Sequence, residues 1–287
     1  MPLEYPAILS MRENGRRLSY DHRDVMLYAL GIGMGRDPLN EKELRFTYER
    51  DLQAVPSLAT MIAWHAGCST ADLGLDYRQV LHGQEEIILH RPLPASAQII
   101  VDSDIAQVYD KGPGKGAIVV RRTVVRTASD HNMLCEVNRT IFARGDGGRG
   151  GSPDPAPIPH AVPMRAPDTS IMMTTRSDQA TLYRLCGDRN PLHIDPEAAR
   201  SAGFDRPILH GLCTFGMTCR AVLQAVCGYD PSRIASHAAR FAAPVYPGET
   251  VRIDLWQDGD IVSFEASVPE RASTVIRNGK TQLRTVP

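Results

Sequence analysis

A run rich in glycine and proline divides this chain into two halves. Residues 145–159 read GDGGRGGSPDPAPIP. Glycine leaves the backbone very free and proline removes a backbone N–H donor, so such a run holds neither a helix nor an interior strand. We therefore predict an N-terminal domain over residues 1–144, a linker over residues 145–168 and a C-terminal domain over residues 169–287.

The two halves are predicted to share one plan, a helix followed by alternating strands. In the C-terminal half, the apolar residues 212–226 predict a helix that ends at Gly228. A helix wrapped by an antiparallel sheet is the hot-dog arrangement. The expected fold class is therefore α+β, a double hot-dog in which each half is a long helix wrapped by an antiparallel β-sheet. The predicted strands here are 250–256, 261–268 and 273–284, the last a hairpin on Asn278 and Gly279. In the N-terminal half the predicted helix is 58–64, and the predicted strands are 84–89, 98–108, 116–127 and 136–144.

Composition and charge exclude several classes of protein. The 287 residues are 43% hydrophobic and 23% charged, which is ordinary for a globular protein. A net charge of −1 and an aromatic content of 6% give no broad attraction for nucleic acid or anionic lipid. The six cysteines form no CxxC pair and lie mostly among apolar residues, so we expect reduced thiols in an intracellular protein.

Signals for export or membrane insertion are not found in the sequence. Residues 1–4 do not begin a basic segment followed by an apolar run, and no segment approaches ~20 apolar residues. The last three residues, 285–287, read TVP and differ from a peroxisomal address of the Ser-Lys-Leu type. We expect a cytoplasmic protein.

The chemically most specific segment is residues 187–193, GDRNPLH. It sets Asp188 and His193 five residues apart in a turn. Gly187 gives the backbone freedom to enter that turn and Pro191 fixes φ, so both side chains are expected to be held stiffly. A carboxylate and an imidazole that hold one water molecule between them suit general acid–base chemistry.

Two short helices are predicted to flank this turn. Residues 177–185 read as a helix with Ser177 as its N-cap, and Gly187 stops it. Asp195 followed by Pro196 caps and starts the next helix, which ends at Gly203.

These segments together resemble a known family. Residues 183–193, then Asp195-Pro196 and residues 208–211 (ILHG), resemble the hydratase 2 motif of MaoC-like, R-specific enoyl-CoA hydratases, above all the hydratase 2 unit of peroxisomal type 2 multifunctional enzymes. Three further segments follow in the family's order, at 80–84, 109–112 and 240–248. The long motif is specific, whereas the other three support it only by their order.

The resemblance implies a hydro-lyase that adds water reversibly to a trans-2-enoyl-CoA and gives a (3R)-3-hydroxyacyl-CoA. Asp188 and His193 would hold the water, take one of its protons and deliver a proton to C2. The sequence does not decide which of the two is the base. The backbone N–H of Gly211, at a helix start, would polarise the thioester carbonyl, although Gly211 also reads as a plain helix-start glycine. Neither a metal nor an organic cofactor is expected.

The resemblance also assigns residues that bind substrate or CoA. Lys111 would meet a CoA phosphate, although its neighbouring glycines equally suit a solvated hairpin tip. Asn190 would hold the turn or the water. The substrate and CoA positions implied are His82, Gly83, Lys111, Arg189, Asn190, Pro191, Leu192, Gly211 and Phe241.

A faint echo of the motif occurs in the N-terminal half. Residues 28–31 and 35–40 (GRDPLN) resemble the start and the turn of the second copy, and Asn40 stands where that copy has His193. An amide does not exchange a proton near neutral pH, whereas imidazole does. We therefore expect one chemical site per chain, with the N-terminal half serving to bind the acyl group and CoA.

Three alternatives remain at this point. His193, Asp195 and His210 are candidate metal ligands, although no HExxH or paired-histidine spacing accompanies them. The chain also suits a (3R)-hydroxyacyl dehydratase of acyl carrier protein thioesters, or a non-catalytic acyl-CoA-binding hot-dog protein. The partners expected are an acyl-CoA thioester and a second copy in a homodimer, without nucleic acid or membrane.

Overall fold

The computed structural model describes residues 4–69, 72–75 and 79–285. The predictions about residues 1–3 and 286–287 lie outside this range. The helices are α1 (His22–Gly31), α2 (Glu41–Thr47), α3 (Ala59–Ile62), α4 (Gln179–Tyr183), α5 (Pro196–Ser201) and α6 (Gly211–Ala225). The strands are β1 (Arg12–Tyr20), β2 (Val80–Leu89), β3 (Ala97–Asp110), β4 (Ala117–Thr127), β5 (Met133–Ala143), β6 (Thr169–Thr174), β7 (Ile234–Phe241), β8 (Thr250–Asp258), β9 (Ile261–Val268) and β10 (Ser273–Leu283).

The ten strands form one sheet that is built from the same topology twice. Its order is β1-β3-β4-β5-β2-β7-β10-β9-β8-β6, and the neighbouring strands pair antiparallel. Read outward from the centre, β2-β5-β4-β3-β1 and β7-β10-β9-β8-β6 are the same arrangement. The halves join where β2 pairs with β7, with Gln84 opposite Arg240. The predicted double hot-dog fold is confirmed.

The long helix of the C-terminal half forms the core of that half. Its residues 212–219 and 221–223 are buried against the inward faces of the strands. The helix is apolar almost all round, as a helix at the centre of a core must be. Its counterpart in the N-terminal half is shorter. A 3₁₀ turn, Pro56–Leu58, leads into α3, so residues 56–62 are helical where 58–64 were predicted.

The predicted hairpin on Asn278 and Gly279 is wrong. β10 runs unbroken through both residues and pairs with β7 and β9, with an irregularity in register at this point. Asn278 adopts φ 55°, and a Cβ on Gly279 would lie 2.2 Å from the Phe264 ring. The Asn-Gly pair therefore makes a bulge that passes over an aromatic ring, and not a turn.

The linker follows the surface of the sheet. Ser152 N–H donates to Val108 O at 2.7 Å, and Asn278 Nδ2 donates to His160 O at 2.7 Å. Residues 144–168 contain neither helix nor strand. All six cysteines are free thiols. Within the described residues, no helix is long and apolar enough to span a membrane.

Candidate active site

The turn that carries Asp188 begins where α4 ends. α4 continues as a 3₁₀ turn, Arg184–Cys186, and the chain then reverses at Gly187 with φ 140°. A Cβ there would lie 3.3 Å from Met61 Cε and 3.6 Å from Trp64 Cδ1, so glycine lets the turn pack against the N-terminal half. The predicted N-cap Ser177 is wrong, because α4 starts at Gln179 with Asp178 in the cap position and without a side-chain cap.

Short hydrogen-bonded links stiffen the turn itself. Asp188 Oδ1 accepts from Asn190 N–H at 3.1 Å, and Asn190 Oδ1 accepts from Leu192 N–H at 3.1 Å. His193 N–H donates to Asn190 O at 3.2 Å and closes the 3₁₀ turn Pro191–His193. Asn190 therefore holds the turn, which is one of the two roles predicted for it.

The structure brings the two predicted acid–base groups to one place. Asp188 Oδ2 lies 4.0 Å from His193 Nε2, and their side chains are 15% and 9% exposed. This separation is too long for a direct hydrogen bond, yet a single oxygen atom about 2.8 Å from each group fits between them. The pair is therefore arranged to hold one water or hydroxyl.

Hydrogen bonding fixes the tautomer of His193. Its Nδ1–H donates to the carbonyl of Ile208 at 2.9 Å, which leaves the lone pair on Nε2. Burial lowers the pKa of His193 from its usual 6.5, against the opposing influence of the Asp188 carboxylate and the Ile208 carbonyl. At neutral pH the imidazole is uncharged, and its basic nitrogen faces Asp188.

A second histidine supports this pair. The His210 ring stacks on the His193 ring with centroids 3.8 Å apart and planes at 28°. His210 Nε2–H donates to Asp188 O at 3.1 Å. Burial, with the neighbouring His193, lowers the pKa of His210 to about 3, so this ring stays neutral. The sequence singled out His210 only as a metal ligand, and the His-Gly pair at 210–211 was the signal for its place beside the site.

The three-residue cluster does not suit a metal ion. Asp188, His193 and His210 each place one ligand atom within 4.8 Å of the others. A metal lies about 2.0–2.1 Å from each histidine nitrogen and in the plane of each ring, which two stacked rings do not allow at one point. Asp195, the third ligand considered from sequence, instead caps α5 by accepting from Glu197 N–H at 2.8 Å.

Three of the predicted binding residues meet where the halves join. His82 lies on β2 and Phe241 at the end of β7, and their ring centroids are 4.6 Å apart. Gly211 is the first residue of α6, and a Cβ on it would lie 3.2 Å from the Phe241 ring. The Gly211 N–H belongs to the first turn of α6, where backbone donors lack partners within the helix. Gly211 packs against an aromatic ring at the junction, and its role at the thioester carbonyl stays a prediction.

Lys111 and Gly83 lie on the same side of the N-terminal half. Lys111 is exposed in the connection between β3 and β4, with Nζ 4.9 Å from the Phe142 ring centroid. A Cβ on Gly83 would lie 3.9 Å from Phe142 Cβ, so this ring links the two predicted positions. Lys111 forms no hydrogen bond or ion pair with residues 187–193 in the part of the chain described. Arg189 and Pro191 are exposed, and Leu192 is half-buried.

Comparison with known proteins agrees with this architecture. Residues 18–145 match the family model "MFE-2 hydratase 2 N-terminal domain", and residues 160–278 match "MaoC like domain". The enoyl-CoA hydratase ChsH3 of Mycobacterium tuberculosis is 38% identical over 97% of this chain and 98% of its own length.

The chain belongs to the MaoC-like hydratase 2 family.

Other relatives and solved structures fit the same family. The peroxisomal enoyl-CoA hydratase 2 of Arabidopsis thaliana is 39% identical, over 91% of this chain and 89% of that protein. The 3-hydroxyacyl-thioester dehydratase Y of Mycobacterium tuberculosis is 42% identical, over 82% and 81%. The MaoC-like dehydratase from Phytophthora capsici has a TM-score of 0.87 at 32% identity, covering 98% of both chains. Full-length peroxisomal multifunctional enzyme type 2 from Drosophila melanogaster has a TM-score of 0.83 at 35% identity. There the match covers 96% of this chain but only 48% of the larger one.

The N-terminal echo keeps the backbone of the family turn and lacks its chemistry. Asp37 Oδ1 accepts from Leu39 N–H at 2.9 Å, and Asp37 O accepts from Asn40 N–H at 3.1 Å. In the second copy, Asn190 accepts the same two hydrogen bonds, from Leu192 and His193. Gly35 stands where the second copy has Asp188. Asn40 Nδ2 donates to the Tyr229 hydroxyl at 3.4 Å. This turn therefore offers neither a carboxylate nor an imidazole at the two positions.

Proposed function

We propose that this chain catalyses the reversible hydration of a trans-2-enoyl-CoA to a (3R)-3-hydroxyacyl-CoA, as a hydro-lyase. The observation that carries the proposal is the pair Asp188 and His193, held 4.0 Å apart on a stiff turn with a basic nitrogen facing a carboxylate. Relatives named enoyl-CoA hydratase cover nearly the whole chain, which supports the same reaction.

In the hydration direction, His193 is the base. Its Nε2 accepts a proton from the bound water while Asp188 accepts the second hydrogen bond and orients the oxygen. The oxygen bonds to C3, and the electrons of the double bond move towards the thioester oxygen. The proton taken by the pair then returns to C2, so one water supplies both the hydroxyl and the hydrogen.

The developing negative charge on the thioester oxygen needs a donor. We assign the Gly211 N–H to it, because this donor is preorganised at the start of α6 and held against Phe241. His82, Gly83 and Phe241 then line the thioester arm at the junction of the halves. Lys111, exposed in the connection between β3 and β4, meets a CoA phosphate. The turn residues Arg189, Asn190, Pro191 and Leu192 complete the binding site.

The N-terminal domain (residues 1–144) binds the acyl group and CoA. Residues 145–168 link the two domains, and the C-terminal domain (residues 169–287) contains the catalytic pair. The free thiols support a cytoplasmic location. A homodimer belongs to the same proposal, and the mass in solution by light scattering tests it.

The reaction is tested directly by absorbance of the enoyl thioester band. We expect the band to decay when trans-2-enoyl-CoA esters of several chain lengths are added, and to appear from (3R)-3-hydroxyacyl-CoA. The relative named 3-hydroxyacyl-thioester dehydratase Y makes this reverse direction worth measuring. Parallel assays with acyl carrier protein thioesters decide the carrier. Tight binding of enoyl-CoA without any change in the band would instead support a non-catalytic binding protein.

A further inference from the structure

A carboxylate is fully buried beside the binding residues at the junction. Glu85 lies on the inner face of β2 and is 0% exposed. Its Oε2 accepts from His82 Nε2–H at 2.7 Å and from Arg139 Nε at 3.1 Å, and its Oε1 accepts from Arg139 Nη2 at 2.9 Å. Three directional hydrogen bonds therefore hold this carboxylate in place.

The carboxylate of Glu85 stays ionised throughout the working pH range. Burial acts to raise its pKa, but the charge of Arg139 and the hydrogen bonds from His82 and Arg139 overcome burial and hold the pKa at about 2. A carboxylate accepts hydrogen bonds and donates none, so His82 must carry its proton on Nε2. The other ring nitrogen, Nδ1, is left for a partner in the binding site.

A buried ion pair of this kind contributes little net stability, because removing two charges from water offsets their attraction. Its geometry points instead to the binding site. His82 packs on Phe241 at 4.6 Å between ring centroids, and the Phe241 ring lies 3.2 Å from the Cβ position of Gly211. On the other side, Arg139 lies 4.3 Å over the Trp64 ring, which anchors the guanidinium. A continuous series of contacts thus joins Glu85 to the proposed oxyanion donor.

We propose that Glu85 is a positioning residue: it fixes the orientation and tautomer of His82, and through His82 and Phe241 it fixes the place of the Gly211 N–H. A residue of the half that lacks the acid–base pair thereby holds one wall of the site in the other half. This inference rests on the proposed hydration, and it adds a residue that the turn and its flanks do not contain.

The first test is Glu85→Gln. The carboxamide keeps the shape, but its NH₂ must face either Arg139 or His82 as a second donor. We expect kcat/KM to fall about tenfold, because a hydrogen bond to a charged group is lost. Glu86→Gln is the matched control, since Glu86 is the next residue of β2, points to the other face and accepts from Asn138 Nδ2 at 3.0 Å. The control should stay within about twofold of wild type.

The second test shows whether Glu85 acts through His82. In a His82→Phe background, which keeps a ring against Phe241, Glu85→Gln should cost less than about twofold further, because the contact it serves is already gone. An equal loss in both backgrounds, or no loss in the single variant, would overturn the proposal. If Glu85→Gln alone does not fold, the double variant Glu85→Gln/Arg139→Gln replaces it in both backgrounds, so that Arg139 is not left as an unpaired charge.

A spectroscopic readout is independent of turnover. In protein labelled with ¹⁵N-histidine, long-range ¹H–¹⁵N correlation should show the proton of His82 on Nε2 in the wild type. An Nδ1–H tautomer in the wild type contradicts the proposal even if hydration is fully active. Absence of hydration by the wild type would instead count against the proposed function and leave this result standing.

Discussion

At the scale of single residues, the site depends on the protonation of a few buried groups. His193 is neutral because it is buried, and its Nδ1–H is tied to Ile208 O. The neutral ring of His210 stacks on the His193 ring, and its Nε2–H donates to the backbone carbonyl of Asp188 and holds it in place. The lone pair of His193 Nε2 is therefore available beside Asp188 near neutral pH.

Removing either member of the pair should remove most of the activity. Asp188→Asn and His193→Gln are each expected to lower kcat by about 10²–10⁴-fold, the usual contribution of a positioned acid or base. Steady-state kinetics, with circular dichroism to check folding, measure this. A folded variant at either position that keeps more than about half of the wild-type rate contradicts the assignment.

The acid side of the pH profile should follow His193. Its pKa is lowered from 6.5, and the neutral form is the one that accepts a proton. We therefore expect kcat/KM to hold steady as the pH falls to 6.5 and to decline only below that value. An acid-side midpoint above pH 6.5 would show that another group controls the rate.

Lys111 should affect binding and leave chemistry unchanged. If Lys111 meets a CoA phosphate, Lys111→Ala raises KM for enoyl-CoA through a loss of about 0.5–1.5 kcal/mol of binding free energy. The value of kcat stays nearly constant, because the contact is equal in the ground and transition states. The effect should shrink at high salt. An N-acetylcysteamine enoyl ester, which lacks the nucleotide, should show almost no difference. Equal losses on both substrates would mean that Lys111 serves the fold.

At the scale of elements, the sequence predicted what local rules decide. The apolar run of α6, the cap at Asp195 and most interior strands follow from periodicity and capping. The bulge at Asn278 and Gly279 does not, because it depends on the Phe264 ring of the neighbouring strand. β1, β6 and β7 were missed because their alternation is weak. The contact of Glu85 with Arg139 needs the register of β2 with β5, which no local pattern contains.

One buried histidine between α6 and the sheet makes an element-scale prediction. His237 is 0% exposed, lies between Thr218 and Thr281 at 3.0 and 2.7 Å, and stacks on Phe264. Burial lowers its pKa to about 3, so the unfolded chain binds this proton more readily than the native protein. The stability that His237 contributes is present above pH 6.5 and is lost as the pH falls towards 3.

Urea unfolding at several pH values measures this loss. One such proton gives a slope of about 1.4 kcal/mol per pH unit between the two pKa values. We expect His237→Phe to remove that share of the pH dependence, whatever its effect on stability at neutral pH. An unchanged slope would show that His237 takes up a proton in the native protein as readily as in the unfolded chain.

At the scale of the whole molecule, one topology is used twice and one copy keeps the acid–base pair. The echo turn preserves its backbone hydrogen bonds while Gly35 and Asn40 occupy the two chemical positions. Asn40→Ala should therefore leave the rate within a few-fold of wild type, since among the described residues its side chain loses a 3.4 Å hydrogen bond to Tyr229. A folded Asn40→Ala protein without turnover would contradict a single site per chain.

The configuration of the product tests the central claim most directly. Wild-type protein is incubated with a trans-2-enoyl-CoA, and the 3-hydroxyacyl-CoA formed is divided between two stereospecific dehydrogenases, one for each configuration at C3. Addition of water from a single fixed pair, Asp188 and His193, predicts one configuration, and the proposed R-specific hydration predicts that it is (3R). A (3S) product, a racemic mixture or unreacted enoyl-CoA would contradict it.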